Sequence, residues 1–558
     1  METFMKPPWV MVLNPTDTPR PIESVARFVL TRFPDLLSFG LSLNRFAFHT
    51  PLVQDLPSRC ILTESLKYFA IPKGLQSYHG PSHWYPAIIS FSRSFKVAVI
   101  GGGIGGLTTA LSIAYQNPAL QNITVYEQAP AYKEIGAGIG IGVNAARILK
   151  KLGVWQAANA ISGERNGVHR SCRRYDTGEE IVAVGAMDED VDGGVRQLSV
   201  HRAEILDVLY QELRRNYHGR VTLKTDMKAT KVEENGDQVT IHFANETNPT
   251  ETANLVIACD GIHSTIRSQF ALDKPRYSGR IAYRGLLPLS AISDKWPYPS
   301  YAVSWLAPDK HFLVFPISQN KTLNVVGFVT KPESELGDLK ESWTSSAPRE
   351  ELEREYAGWE PTVGAVIREM EARPGKWRLN DRELLEQWTY LNGKVVLAGD
   401  AAHAMLPHQG SGAGHAIEDA YILGLVVRDY FANPVPGVAA YTALYQAVRR
   451  PRAQKAQITS RQAGDVYEMQ GKEFEGISSY EDCLPIVREK LSGRMKWVWS
   501  HDLEADYQKA REEAVLADQT QSKAPPKTNE TVNGFVNGTP SGKVGATQPG
   551  INVQEVEA

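Results

Sequence analysis

"FKVAVIGGGIGGLTTALSIA", residues 95–114, decides the fold. A short apolar run, Lys96 to Ile100, reads as a buried strand and passes directly into Gly101, Gly103 and Gly106, spaced G-x-G-x-x-G, before a helical pattern begins. The first glycine permits the tight turn, the second lets the backbone approach a pyrophosphate, and the third lets helix and strand pack closely. The helix N-terminus then faces two negative phosphates. The next strand, "ITVYEQ", closes at Glu127, 26 residues past Gly101; the usual distance is about 20, and the turn "YQNPALQN" absorbs the excess. Its carboxylate is placed to hold the adenosine ribose hydroxyls. At this point a nicotinamide and a flavin dinucleotide both remain open.

Three further segments extend the pattern. "EIGAGIGIGVNAARILKKLG" (134–153) alternates Gly136, Gly138, Gly140 and Gly142 before a helix. Such alternation reads either as a strand over which something flat lies close or as a tightly packed, bulged strand. "ANLVIACDGIHSTIR" runs a buried strand into Asp260-Gly261, and "GKVVLAGDAAHAMLPHQGSGAGHAIEDAYILGLVV" runs another into Gly399-Asp400. In both, glycine admits close backbone approach and aspartate can accept hydrogen bonds from sugar-like hydroxyls. Taken in order, GxGxxG, DG and GD resemble the flavoprotein aromatic hydroxylases across roughly residues 95–510, and the segment from Gly399 is particularly similar to that of salicylate hydroxylases.

Residues 399–420 carry His403, His408 and His415, but their spacing matches neither H-x-x-x-H nor H-E-x-x-H, so no metal is expected. Ser411 lacks the G-x-S-x-G frame of a nucleophile elbow. The resemblance instead implies a cradle for FAD: Asp400 on the ribityl chain, Pro407 against the flavin face, and the Gly412-Ala413 backbone toward the pyrimidine edge. The helix from Ala413 adds its positive end there, with Ala416, Ile417, Ala420, Leu423, Gly424 and Val427 at core spacing. By the same resemblance Arg202 in "VHRAEILDVL" reaches the cofactor, above a buried stripe of Ile205, Leu206 and Leu209, and Gly140 supplies a backbone contact. Arg147 and Arg267 read equally as surface charges or as ligands.

Between the DG and GD turns, "YSGRIAYRGLLPLS", "YAVSWLAPDKHFLVFPIS" and "KTLNVVGFVT" read as antiparallel strands roofing the flavin. In related polyketide-phenol hydroxylases an arginine of the "YRG" strand and a tyrosine of a later strand hold the substrate phenolate. Here the arginine is Arg284, preceded by Tyr283, and the tyrosine position is Phe315. The missing hydroxyl favours a salicylate-like aromatic acid, whose carboxylate Arg280 could bind; cross-strand pairing on a sheet surface is the alternative for all three residues. With no second nucleotide fingerprint, NAD(P)H is expected to bind transiently, reduce the flavin and leave. One atom of O₂ then enters an electron-rich ring, with loss of CO₂ where a carboxylate occupies the attacked carbon. A polyketide-phenol hydroxylase of secondary metabolism and a flavin oxidase without oxygen insertion are the alternatives. A flavin halogenase is disfavoured, because W-x-W-x-I-P is absent and "WVWSHD" lacks the Ile-Pro.

The whole-chain balance agrees. At 558 residues, 42% hydrophobic and 22% charged, with formal charge −3, the chain suits two or three packed domains and offers no electrostatic case for nucleic acid. No apolar run of about 18 residues suggests a membrane span, and four dispersed cysteines suggest neither zinc nor a disulfide scaffold. A cytoplasmic location is expected, with organellar targeting by the N-terminus left open. The expected fold is α/β: a Rossmann-like FAD-binding domain (94–270 and 395–445), a smaller antiparallel β-sheet substrate domain (271–394) and C-terminal helices (446–516). These are flanked by an N-terminal extension (1–93) and a disordered tail (517–558). The expected partners are a small aromatic molecule and O₂.

Overall fold

The computed structural model describes residues 94–132, 138–163, 168–185, 194–298, 301–337, 339 and 345–523, with side chains to residue 514. Gly136, the 1–93 extension and residues 524–558 lie outside them. A six-stranded sheet runs in the order Thr389–Tyr390, Val395–Leu397, Leu255–Ala258, Lys96–Ile100, Asn122–Tyr126, Val221–Lys224. It is parallel throughout except for its first, edge strand. Parallel strands buried on both faces require continuous apolar runs, and Val97, Val99, Ile123, Val125, Val256 and Ile257 supply them.

Register decides where the site sits. Ile100 pairs with Tyr126 on one side and with Ala258 on the other, and Ala258 pairs with Leu397. The Gly101 turn, Glu127, the DG turn and the GD turn therefore leave the sheet at one carboxyl edge, where an open α/β sheet binds its ligand. Behind this edge, the Ile104–Gln116 helix crosses the Gly412–Ala432 helix closely. Small residues allow it: a Cβ on Gly105 would stand 3.3 Å from the Ala416 Cβ, and one on Gly424 would meet the Ser112 Oγ at 2.5 Å.

A second sheet of seven strands runs Gly375–Asp381, Arg276–Pro288, Thr322–Thr330, Lys310–Ile317, Ala302–Ala307, Val168–Arg174, Glu180–Gly185. Its central strands are antiparallel, as expected. Its last two precede the DG turn in the chain, however, and Val168–Arg174 joins Ala302–Ala307 in parallel. The roofing sheet is thus recruited from both sides of the DG turn. One face packs Tyr283, Phe312 and Val325 with Leu352 and Val366 of the Arg349–Glu355 and Pro361–Glu369 helices. The other buries Ala282, Phe328, Trp377 and Leu379 with Leu406 of the GD segment.

The Gly412–Ala432 helix is buried on every side from Gly414 to Val427, not only along the expected stripe. It lies beside the 30-residue Val438–Tyr467 helix. The last helix runs Leu503–Lys523, beyond the expected boundary at 516. Among the described residues no helix is long and apolar enough to cross a membrane.

Candidate functional site

The first turn has the tolerances a diphosphate cradle needs. Gly101 sits at φ +99°, and a Cβ there would lie 2.3 Å from the Cys259 carbonyl oxygen; one on Gly106 would lie 1.9 Å from the Gly101 carbonyl oxygen. Gly102, not singled out from the sequence, is equally constrained, since its Cβ would meet the Tyr132 ring at 2.4 Å. Gly103 is the N-cap of the Ile104–Gln116 helix, with no side chain over the helix end. Glu127 curls back onto this turn: its Oε2 accepts the Gly102 N–H at 2.7 Å and its Oε1 the Ala129 N–H at 2.8 Å. The acid expected to bind the ribose is thereby held against the glycine turn.

The DG turn is built differently from expectation. Asp260 accepts the Ser264 hydroxyl at 2.6 Å and the Ile266 N–H at 3.2 Å, so its carboxylate shapes the turn itself. Burial raises its pKa. Arg267 is neither a surface charge nor a ligand. Fully buried, it pairs with Asp273 through Nε and Nη2 and donates to the carbonyls of Ala401 and Ala402, tying the DG turn to the GD turn. Arg147 donates to the Trp499 carbonyl.

At the GD turn, Gly399 takes φ +59°, a conformation that favours glycine. Asp400 is exposed and Pro407 projects from the surface, while Ser411 makes no side-chain cap over the Gly412–Ala432 helix. An acceptor without a side-chain partner, an exposed proline and an uncapped helix end beside three constrained glycine turns fit a dinucleotide bearing a polyol and a flat ring. Asp400 would hold the ribityl hydroxyls, and the Gly412 and Ala413 N–H groups would face the pyrimidine edge.

Under this turn lies a buried ionic lattice that sequence reading missed. Asp419 Oδ2 accepts the Gly399 N–H at 2.8 Å and contacts His403 Nε2 at 2.6 Å, while Oδ1 takes Arg449 Nε at 2.8 Å. Glu418 takes Arg449, a two-point contact from Arg452 and the Asn144 amide. Burial alone would raise both carboxyls, but the guanidiniums hold Glu418 well below its usual range, and His403 with Arg449 lowers Asp419. The available signal was two acids inside an apolar helix, followed by arginines three residues apart in the next one. His415 lies within the lattice against Arg449, and burial pushes its pKa well down.

Gly140 pairs with Ser199 in a short two-stranded ribbon, Gly138–Ile141 with Leu198–His201. A Cβ on Gly140 would meet nothing closer than 3.9 Å, leaving the strand open on that side. Gly138 has another reason to be glycine: a Cβ there would strike the Phe315 ring at 2.6 Å. Arg202 opens the Arg202–Asn216 helix that follows the ribbon, and Ile205, Leu206 and Leu209 are buried beneath it as expected.

On the roofing sheet the three candidates separate. Neighbouring strand residues face opposite sides, and Tyr283 is the one turned away: its hydroxyl donates to Glu351 in the back layer. Arg280 faces the front but is committed, with Nε 2.8 Å from Glu468 and Nη2 2.7 Å from Asp465. The expectation for Tyr283 is corrected, because its hydroxyl lies in the back layer, and Arg280 is a structural cation, with Nε and Nη2 both taken up by buried or half-buried acids. Arg284 remains. It stands 5.0 Å over the Trp377 ring, and burial followed by the nearby Arg202 guanidinium lowers its pKa. Arg202 and Arg284, 82 residues apart and on different elements, thus act on one another electrostatically.

Comparison with known proteins agrees with this geometry. A family model described as an FAD binding domain matches residues 94–460. A salicylate hydroxylase of Pseudomonas putida is 34% identical over 442 residues, 75% of this chain and 94% of the relative. A 6-hydroxynicotinate 3-monooxygenase of Pseudomonas fluorescens is 32% identical, covering 66% and 90%. A solved salicylate hydroxylase in complex with its substrate superposes with a TM-score of 0.62 at 30% identity, covering 75% of this chain and 98% of that one. The chain belongs to the FAD-dependent aromatic hydroxylases, the monooxygenase family that includes the salicylate hydroxylases.

Proposed function

We propose that this enzyme hydroxylates a small hydroxy-aromatic acid, consuming O₂ and NAD(P)H, with loss of CO₂ when the carboxylate sits on the attacked carbon. Bound FAD would accept hydride from transiently bound NAD(P)H and activate dioxygen. Gly101, Gly103, Gly106 and Glu127 would hold its adenosine diphosphate half, and Gly140, Arg202, Asp400, Pro407, Gly412 and Ala413 the flavin half. Asp260 would act through the shape of its turn. Arg284 would hold the substrate phenolate by a charge-assisted hydrogen bond, keeping the ring electron-rich, and the apolar front face with Trp377 and Leu406 would exclude water.

The observation that carries this reading is the position of Arg284, half-buried over the Trp377 ring with the positive charge of Arg202 acting on it. A half-buried guanidinium with a second positive charge acting on it favours an anionic guest. Phe315, against Gly138 on the same front face, offers no hydroxyl for a second phenolate contact, which favours a compact aromatic acid over a large polyketide phenol. The relatives named for salicylate and for 6-hydroxynicotinate act on such compounds by their names. The test is a panel of phenolic acids scored for stimulated NAD(P)H oxidation, with product oxygen traced from labelled O₂. A ring hydroxyl carrying the label is expected. Stimulated oxidation that yields only peroxide across the panel would make the protein an oxidase.

A further inference from the structure

The Met495–Trp499 segment lies beyond the residues 94–460 that the family model matches, yet it reaches the cofactor cradle. Met495 and Trp499 wall a small cavity whose other side is formed by Gln197, Gln409 and the Gly410-Ser411 backbone, where the Gly412–Ala432 helix begins. The ionic lattice holds the segment in place. Arg452, clamped to Glu418, also donates to the Val498 carbonyl at 2.8 Å and the Trp497 carbonyl at 3.3 Å, while Arg147 donates to the Trp499 carbonyl. The Trp499 ring is wedged 4.9 Å from His169, and a Cβ on Gly142 would touch its Nε1 at 3.2 Å.

The lining is polar but carries no ionisable side chain. Gln197, 8% exposed, makes no side-chain hydrogen bond among the described residues, and its Nε2 lies 3.9 Å from where a Gly140 Cβ would stand; the Gly410 carbonyl oxygen is equally near that point. Gln409, 4% exposed, has its Oε1 beside the Thr459 and Ser460 hydroxyls at 3.1 and 3.4 Å, and its Nε2 has no partner among the described residues. Buried amides normally find partners. Amide donors, uncapped helix N–H groups and one carbonyl acceptor around a neutral cavity complement a neutral imide edge, which presents acceptor, donor and acceptor in a row.

We propose that Gln197 and the Met495–Trp499 turn complete the seat of the flavin's pyrimidine edge, Gln197 by hydrogen bonding to it and Trp499 by closing the cavity behind it. The assignment rests on the FAD reading above. The experiment titrates the apoprotein separately with FAD and with ADP, following flavin fluorescence for the first and competition for the second. In Gln197→Ala, FAD should bind about three- to tenfold more weakly, the range for one lost neutral hydrogen bond, while ADP binding stays at the parent value. Trp499→Phe should weaken FAD in the same selective way.

Unchanged FAD binding in both variants overturns the proposal, and so does equal weakening of FAD and ADP, which would mark a general structural role. Should Gln197→Ala fail to accumulate folded, the near-isosteric Gln197→Glu decides. A carboxylate facing the ring edge that gains negative charge on reduction should lower the flavin midpoint potential with ADP binding unchanged, and an unmoved potential would overturn the assignment. A parent chain that takes up neither FAD nor ADP overturns the FAD reading and this one with it. Parent binding with insensitive variants overturns this one alone.

Discussion

Arg449 places its Nε 2.8 Å from Asp419 Oδ1, and the other oxygen of that carboxylate accepts the Gly399 N–H at 2.8 Å. The long C-terminal helix therefore sets the GD turn through one fully buried aspartate. Removing one partner of a buried ion pair leaves the other uncompensated, at a typical cost of about 3–5 kcal/mol. Arg449→Ala should lose stability on that scale in urea denaturation. It should also lose FAD, since Gly399 precedes Asp400, the residue proposed to hold the ribityl chain.

Asp400 gives the opposite signature. It is exposed and makes no side-chain hydrogen bond among the described residues, so Asp400→Ala should leave the apoprotein melting temperature unchanged. Flavin occupancy should fall, with affinity weakened by about tenfold or more, as a charge-assisted hydrogen bond to the ribityl chain is lost. Undiminished FAD on purification would show that the GD aspartate does not bind it.

For catalysis, Arg284→Ala should retain FAD and lose about 10²–10³ in hydroxylation rate, while NAD(P)H consumption continues and releases peroxide. Arg284→Lys should recover only part of the rate, because an ammonium cannot reproduce the planar fork of a guanidinium. Full coupling in Arg284→Ala at saturating phenol would remove the arginine from the mechanism.

The two neighbours provide the control. Tyr283→Phe should turn over at the parent rate and cost only about 1 kcal/mol of stability, the hydrogen bond to Glu351. Arg280→Ala should show its defect in unfolding, because it strands Glu468 beneath the sheet. A coupling defect in Tyr283→Phe with normal stability would return that residue to the site.

Acid should destabilise the fold before the carboxylates titrate. Burial holds His311 below its usual pKa, and His408 and His415 well below it. The unfolded chain takes up those protons near about 6.5, the folded chain only at lower pH. Their contribution is thus full above that value and is lost as pH falls, at no more than about 1.4 kcal/mol per pH unit for each. Thermal melts between pH 7.5 and 5.5 should show this slope, and His408→Leu should flatten it.

The parts of this protein that were legible in its sequence are those in which the local backbone meets itself or a ligand. Gly106 must be glycine because its Cβ would collide with the carbonyl five residues earlier, and Glu127 follows a strand that pairs directly with the first one. Such constraints act over a few tens of residues and leave a spacing. Strand alternation also implied that Tyr283 and Arg284 could not both face the substrate. Which of them does depends on the layer behind the sheet, where Leu352 and Val366 cover the Tyr283 side. The commitment of Arg280 to Glu468 spans 188 residues, and the pairing of Glu418 and Asp419 with Arg449 and Arg452 appears only when two helices lie side by side. A charge in the sequence does not reveal its counter-charge. Desolvation makes that counter-charge obligatory, and only tertiary packing selects it, so the glycine turns of the FAD-binding fold could be read along the chain whereas the supports of the GD turn and the pairing of Arg280 were decided by the fold.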